Sequence, residues 1–183
     1  MRIISGKYRG RQLASATDQS IRPTTNKIKE YIYNLLGDFV VNADVLDLFS
    51  GSGSLGLEAV SRGAKSIVFV DNAQSSLRVL RRNLSRLKIE EPHTVVRNDA
   101  VKFLRKTRQP FDLILADPPF PWGDFDGMLD AAFSSTALTD FGMLVVESEK
   151  KHEVTWENDT REILRQKTFD RSVITILSRK VAE

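Results

Sequence analysis

Val45-Leu46-Asp47-Leu48-Phe49-Ser50-Gly51-Ser52-Gly53-Ser54-Leu55-Gly56 decides the fold. It opens as a short apolar run holding one acid, the pattern of a strand buried on both faces. It closes in glycines spaced G-x-G-x-x-G, which let the backbone turn tightly and approach a ligand where a side chain would collide. Leu57-Glu58-Ala59-Val60 then reads as helix, and Gly63 is placed to stop it. Strand, glycine turn and helix form the first unit of a nucleotide-binding α/β fold. Alone, the fingerprint points to an adenosine-containing ligand without saying which.

Downstream, the same alternation continues. Ser66-Ile67-Val68-Phe69-Val70 is a second buried strand ending at Asp71, 20 positions after Gly51. In this fold an acid there hydrogen-bonds ribose hydroxyls; a helix N-cap is the structural alternative. A helix over about Gln74–Leu87 points Leu77, Leu80, Leu84 and Leu87 inward. Its Arg78, Arg81, Arg82, Arg86 and Lys88 read as a solvated face. Thr94–Arg97 is a third strand ending at Asn98-Asp99, and Val101, Phe103 and Leu104 begin a short helix. Asp99 can cap that helix, meet an adenine amine, or do both. Phe111–Ala116 is a fourth strand, Met128–Phe133 a helix and Gly142–Glu147 a fifth strand. Glu162–Phe169 and Ser172–Ser178, joined by Asp170-Arg171, read as a closing antiparallel hairpin. The fold class is therefore α/β, a doubly wound and mostly parallel sheet of Rossmann type.

Upstream lies the basic end. Up to Glu30 the cations are Arg2, Lys7, Arg9, Arg11, Arg22, Lys27 and Lys29, against Asp18 and Glu30 alone. Arg2–Ser5 and Tyr8–Leu13 read as two short strands about a Gly6-Lys7 turn. Its face would carry Arg2, Lys7, Arg9, Arg11 and Tyr8, a mixture suited to nucleic acid or simply to a solvated edge. Ala14–Ser20 is a polar linker. Arg22-Pro23-Thr24-Thr25 is placed to start a helix, with Ile28, Ile32, Leu35 and Leu36 as its apolar stripe and Gly37 as its end. Arg22, Thr24 and Thr25 stand where free N–H groups favour a phosphate, or where they merely cap. The division expected is a 1–40 extension for RNA docking and a 41–183 catalytic domain.

Composition narrows the chemistry. The 183 residues suffice for one sizeable core. There is no cysteine, which excludes disulfides, thiolate metal sites and a cysteine nucleophile. With only His93 and His152, a histidine-rich metal site or a Ser-His-Asp triad is not expected, and no metal is needed. Net charge is +3, so the distribution of charge carries more meaning than its sum. No apolar run is long enough for a membrane span, and Met1–Lys7 turns polar too early for a signal peptide. The cytoplasm is the expected compartment.

Asp117-Pro118-Pro119-Phe120 follows the fourth strand directly. In an open parallel sheet ligands bind beyond the carboxyl ends of the strands, at the switch in strand order. The tetrapeptide would face the glycine turn across that crevice. Two prolines fix the backbone and remove two donors. What remains is a rigid pair of acceptors, the Asp117 carboxylate and the Pro118 carbonyl, beside the ring of Phe120. Two acceptors can hold an exocyclic NH₂ in line with a methyl donor, and the ring can stack on an extruded base. Catalysis of that kind is positioning assisted by fixed negative dipoles.

With both motifs in view, the sequence resembles the S-adenosylmethionine-dependent amino-methyltransferases. Arg2-Ile3-Ile4-Ser5-Gly6-Lys7-Tyr8-Arg9-Gly10-Arg11 and Arg22-Pro23-Thr24-Thr25 narrow the likeness to the bacterial small-subunit (16S) ribosomal RNA guanine-N2 methyltransferases. It covers nearly the whole chain. The resemblance implies that Asp47 lies near the donor's ammonium and that the Gly51–Gly53 turn, with Phe49, borders its methionine part. Asp71 with Asn72 would take the ribose, and Asp99 with the Ala100 N–H the adenine. Asp117 and Pro118 would hold the guanine N2, and Phe120 would stack on the base. Arg2, Lys7, Arg9, Arg11, Arg22, Thr24 and Thr25 would meet ribosomal RNA, in a monomer acting on the small subunit. Two positions depart from the pattern: Asn26 stands where an acid is expected, and Asp71 where Glu is commoner.

Other readings remain at this point. Adenine N6 offers the same exocyclic amine, so Asp-Pro-Pro-Phe does not separate it from guanine N2. A nicotinamide oxidoreductase would share the glycines but leave Asp-Pro-Pro-Phe without a role. A non-catalytic RNA-binding protein on the same fold has no use for an intact Asp117–Phe120.

Overall fold

A computed structural model describes residues 1–15, 25–120, 122–152 and 154–180. Its centre is a seven-stranded sheet in the order β3-β2-β1-β4-β5-β7-β6. The strands are β1 (Asp44–Leu48), β2 (Ser66–Asp71), β3 (His93–Arg97), β4 (Phe111–Ala116), β5 (Leu138–Glu149), β6 (Arg161–Phe169) and β7 (Ser172–Arg179). The first five pair in parallel, and β7 and β6 add antiparallel. Strand order reverses between β1 and β4, which pair Val45 to Leu113 through Leu48 to Ala116. The doubly wound sheet and the closing hairpin are as read from the sequence; β5 begins earlier, at Leu138 instead of Gly142.

Alternate residues of the buried strands enter two different cores, as the period of two demands. Val45, Ile67, Phe69, Leu113 and Leu115 meet α1 (Asn26–Leu36), α2 (Ser54–Ser61), α3 (Gln74–Leu87) and the N-terminal segment on one face. Leu46, Leu48, Val68, Val70 and Ile114 meet α4 (Ala100–Lys106) and α5 (Phe125–Ser134) on the other. Asp47 has the parity of Val45, so its carboxyl is aimed at α2.

The N-terminal segment departs from expectation. Only Arg2 and Gln12 form an antiparallel bridge, so there is no two-stranded hairpin. Tight turns replace it: Arg9 N–H donates to Gly6 O at 3.1 Å and Arg11 N–H to Tyr8 O at 3.1 Å. The loop satisfies itself against α2, with Lys7 N–H on Ser61 O at 2.8 Å and Tyr8 N–H on Ser61 Oγ at 3.0 Å. Gly6, at φ +82°, sits where any Cβ would overlap the Ser61 carbonyl. Ile3, Tyr8 and Leu13 are buried, so Tyr8 is part of the core and not of a solvent face. Arg2, Arg9 and Arg11 remain exposed.

Helix α1 also differs in detail. Thr25 caps it, its hydroxyl accepting from Ile28 N–H at 3.3 Å. Leu35, expected inward, is exposed, whereas Lys29 and Tyr33 are buried with Ile28, Ile32 and Leu36. The reason is Glu58 of α2, which is fully buried and accepts from Ile4 N–H at 2.8 Å, Ser5 N–H at 3.0 Å and Arg62 Nε at 2.9 Å. Lys29 Nζ lies 3.5 Å from that carboxylate and donates to Arg2 O at 2.7 Å. Tyr33 donates from its hydroxyl to Leu55 O at 2.7 Å. A buried charge needs a partner, and the partner came from another helix. Arg22 and Thr24, the remaining RNA-docking candidates, lie outside the described residues.

Candidate functional site

The crevice forms where the chain leaves β1 and β4 side by side. After Leu48 the backbone turns through Phe49 (φ +57°), Gly51 (φ +54°) and Gly53 (φ +83°). Phe49 pays strain in the left-handed region, and its ring packs edge-on to Trp122 with centroids 4.9 Å apart. The three glycines do different work. A Cβ on Gly53 would strike Leu80 at 2.5 Å, and one on Gly56 would strike the Asp47 carboxyl at 2.6 Å and Phe69 at 2.5 Å. Those two allow close packing of α2 on the sheet and on α3. A Cβ on Gly51 would meet only Phe49 O at 3.8 Å, so Gly51 opens the crevice itself.

Two carboxyls bracket the turn. Asp47 is buried and accepts from Gly56 N–H at 3.0 Å. Loss of water pushes its pKa up to about 8, the Gly56 hydrogen bond opposing and the Asp71 charge adding to the rise. Asp71 closes β2 and reaches across: Oδ2 accepts from Gly51 N–H at 2.8 Å and Oδ1 from Ala73 N–H at 2.8 Å. Asn72 beside it is exposed, and its carbonyl accepts from Arg97 Nε at 3.2 Å. Asp99 does cap α4, its Oδ1 accepting from Lys102 N–H at 2.9 Å, with the buried Ala100 next in line. Ser50 carries a buried hydroxyl with no hydrogen-bond partner among the described residues.

Asp117-Pro118-Pro119-Phe120 follows β4 without a break. Pro118 is buried, Asp117 and Phe120 are half-buried, and Pro119 is exposed. Beyond them Trp122 meets Phe125 at 5.0 Å, and Phe125 meets His152 at 5.2 Å and Trp156 at 6.2 Å, all edge-on. Sequence reading missed this aromatic wall because its rings come from the loop after β4, from α5 and from the stretch before β6. The only signal was the clustering of Phe120, Trp122 and Phe125.

The docking candidates at the N-terminus are not equivalent. Lys7 is spent on Glu91 at 2.8 Å and Glu90 at 3.2 Å, which drive its pKa up. Asn83, buried on α3, was not foreseen at all. Its side chain holds Ala14 and Ser52 together, so the N-terminal segment is tied to the glycine turn. Among the described residues no cluster of acids and histidines could hold a metal, and no helix is long and apolar enough to cross a membrane.

A doubly wound sheet whose glycine turn and Asp-Pro-Pro-Phe leave the paired strands β1 and β4 at its switch point has the architecture of the Rossmann-like methyltransferases. The sequence profile of a family described as conserved hypothetical protein 95 matches residues 1–178. Ribosomal RNA small subunit methyltransferase D of Escherichia coli K12 is 36% identical over 149 residues, covering 81% of this chain and 75% of its own. The protein of that name from Haemophilus influenzae is 36% identical over 172 residues, covering 92% and 88%. A solved Escherichia coli structure described as a methyltransferase superposes with a TM-score of 0.88 at 31% identity, over 98% of each chain. The chain belongs to this family, the conserved hypothetical protein 95 family, together with those small-subunit RNA methyltransferases.

Proposed function

We propose that the protein transfers the methyl group of S-adenosylmethionine to the exocyclic N2 amine of a guanine in small-subunit ribosomal RNA. The observation that carries this reading is the exit of Asp117–Phe120 from β4 beside the glycine turn of β1, two strands paired at the switch point. The names of the relatives supply the RNA class. The crevice fits the donor: Gly51 leaves open space, Ser50 offers an unused hydroxyl, and Asp47 and Asp71 present carboxyls suited to an ammonium and to ribose hydroxyls. Asp99 and the Ala100 N–H complete it for the adenine.

S-adenosylmethionine supplies an electrophilic methyl on a sulfonium that departs as a neutral thioether. The protein's part is positioning. The Asp117 carboxylate and Pro118 carbonyl accept the two amine hydrogens and turn the nitrogen lone pair out of ring conjugation towards the methyl. Their negative dipoles favour the positive charge that grows on nitrogen as the N–C bond forms. Asp117 then takes the proton that nitrogen sheds and passes it to water. Phe120 stacks on the extruded base, while Arg2, Arg9, Arg11 and Thr25, with Arg22 and Thr24, meet RNA.

The test is transfer of labelled methyl to small ribosomal subunits from cells lacking the enzyme, followed by nucleoside analysis. N2-methylguanosine is expected. N6-methyladenosine would keep the mechanism and overturn the target; absence of label with donor bound would reject the acceptor.

A further inference from the structure

Helix α3 carries charge that its own structure does not need. Its 14 residues, Gln74–Leu87, include Arg78, Arg81, Arg82 and Arg86 and not one acid. None of the four takes part in an ion pair among the described residues. Arg78, Arg82 and Arg86 recur every four residues, so they form one row along about 12 Å of helix. Like charges at i,i+4 destabilise a helix, and here two such pairs are kept without compensation.

The row stands beside the basic N-terminal segment. Asn83, flanked by Arg82 and Arg86, is the residue that grips Ala14, three positions after exposed Arg11. Both elements belong to the same face of the sheet. The helix starts just past Asp71, at the crevice end of β2, so its Arg78 end is the one near the site. On the other flank of α3, Arg81 and Lys88 line an open groove with Ser85 and His93.

We propose that the Arg78–Arg82–Arg86 row of α3 is a second RNA-binding surface, which grips the phosphodiester backbone beside Arg9 and Arg11 while the target base enters the crevice. This rests on the RNA-substrate reading above. The chemistry is charge complementarity: guanidinium groups pair with phosphates in forked geometry, and each contact releases condensed counterions.

The experiment titrates transcribed small-subunit ribosomal RNA with wild type and with R78Q/R82Q/R86Q across a range of salt. Loss of three contacts should flatten the slope of log affinity against log salt by about 2 and weaken binding by about tenfold or more at low salt. Binding of S-adenosylhomocysteine should be unchanged, and the melting temperature unchanged or raised, since repulsion is relieved. R78K/R82K/R86K should restore most of the slope. R105Q/K106Q/R108Q, which removes equal charge on the α4 side of the sheet, should lose much less. An unchanged slope in the α3 variant, or an equal loss in the α4 variant, overturns the proposal while wild-type methyl transfer leaves the function standing. Failure of wild type to bind or methylate any RNA would sink both.

Discussion

Asn83 Nδ2 donates to Ser52 O at 2.9 Å, joining α3 to the glycine turn. The same amide donates to Ala14 O at 3.0 Å and accepts from Ala14 N–H at 2.8 Å. One side chain thus ties the N-terminal segment to the glycine turn. Asn83→Leu keeps the bulk and leaves three backbone groups without their partner, at a cost of at least about 2 kcal/mol. Urea unfolding should show that loss, and S-adenosylhomocysteine should bind more weakly. Wild-type values for both would mean that Asn83 does not hold the turn.

Asp71→Ala removes the acceptor of Gly51 N–H and of Ala73 N–H. The turn loses one of its ties to β2, Ser50 N–H on Val70 O at 3.0 Å remaining, and the donor loses the ribose partner proposed for it. Affinity for S-adenosylhomocysteine, measured by calorimetry, should fall tenfold or more, on the order of 1.5–3 kcal/mol for hydrogen bonds to a charged group.

Asp47 sets a pH dependence. Its pKa is about 8 in the folded protein against 3.8 as a free side chain. Between those values the folded chain holds a proton that the unfolded chain has lost, so this residue's contribution to stability falls as pH rises from about 4 to 8, by up to about 1.4 kcal/mol per pH unit. Subtracting the profile of Asp47→Asn from that of wild type isolates the slope. In the proposed placement the donor's cationic ammonium lies beside Asp47 and favours the carboxylate, so donor binding should tighten as pH rises towards 8 and release a proton below it. Calorimetry in buffers of different ionisation heat reads that proton directly.

Asp117→Ala should leave affinity for S-adenosylhomocysteine within about twofold and reduce kcat by a hundredfold or more, since positioned groups contribute at that level. Single-turnover transfer to small-subunit RNA separates the two. Wild-type rates would remove Asp117 from the reaction.

Glu58→Gln takes the charge from a carboxylate that faces Lys29 at 3.5 Å and Arg62 at 2.9 Å. Removing one partner of a buried pair costs about 3–5 kcal/mol. The double variant Lys29→Met/Glu58→Gln should recover part of it, and a denaturant series on wild type, Lys29→Met, Glu58→Gln and the double variant gives the coupling. Complete additivity would show that the pair acts independently.

The sequence alone determined the order of elements after α1, the sheet's class and the two motifs that follow β1 and β4. Those features are local: the apolar run Val45–Leu48, the glycines after it, and the prolines after β4 constrain the backbone whatever lies around them. Ser66–Asp71, Gln74–Leu87, Phe111–Ala116 and the closing hairpin were legible for the same reason. Tertiary structure decided which polar residues are buried. Lys29, Glu58 and Asn83 look like surface positions in any periodic reading, and Leu35 like core, because periodicity treats a polar side chain as outward. Each of these three is buried only because a partner far along the chain satisfies it: Arg2 and Glu58, Ile4 and Ser5, Ala14 and Ser52. The same long-range closure turned the expected N-terminal hairpin into a loop seated on α2. Hydrogen bonds to Ser61 and Glu58 satisfy backbone groups that a second strand would have paired.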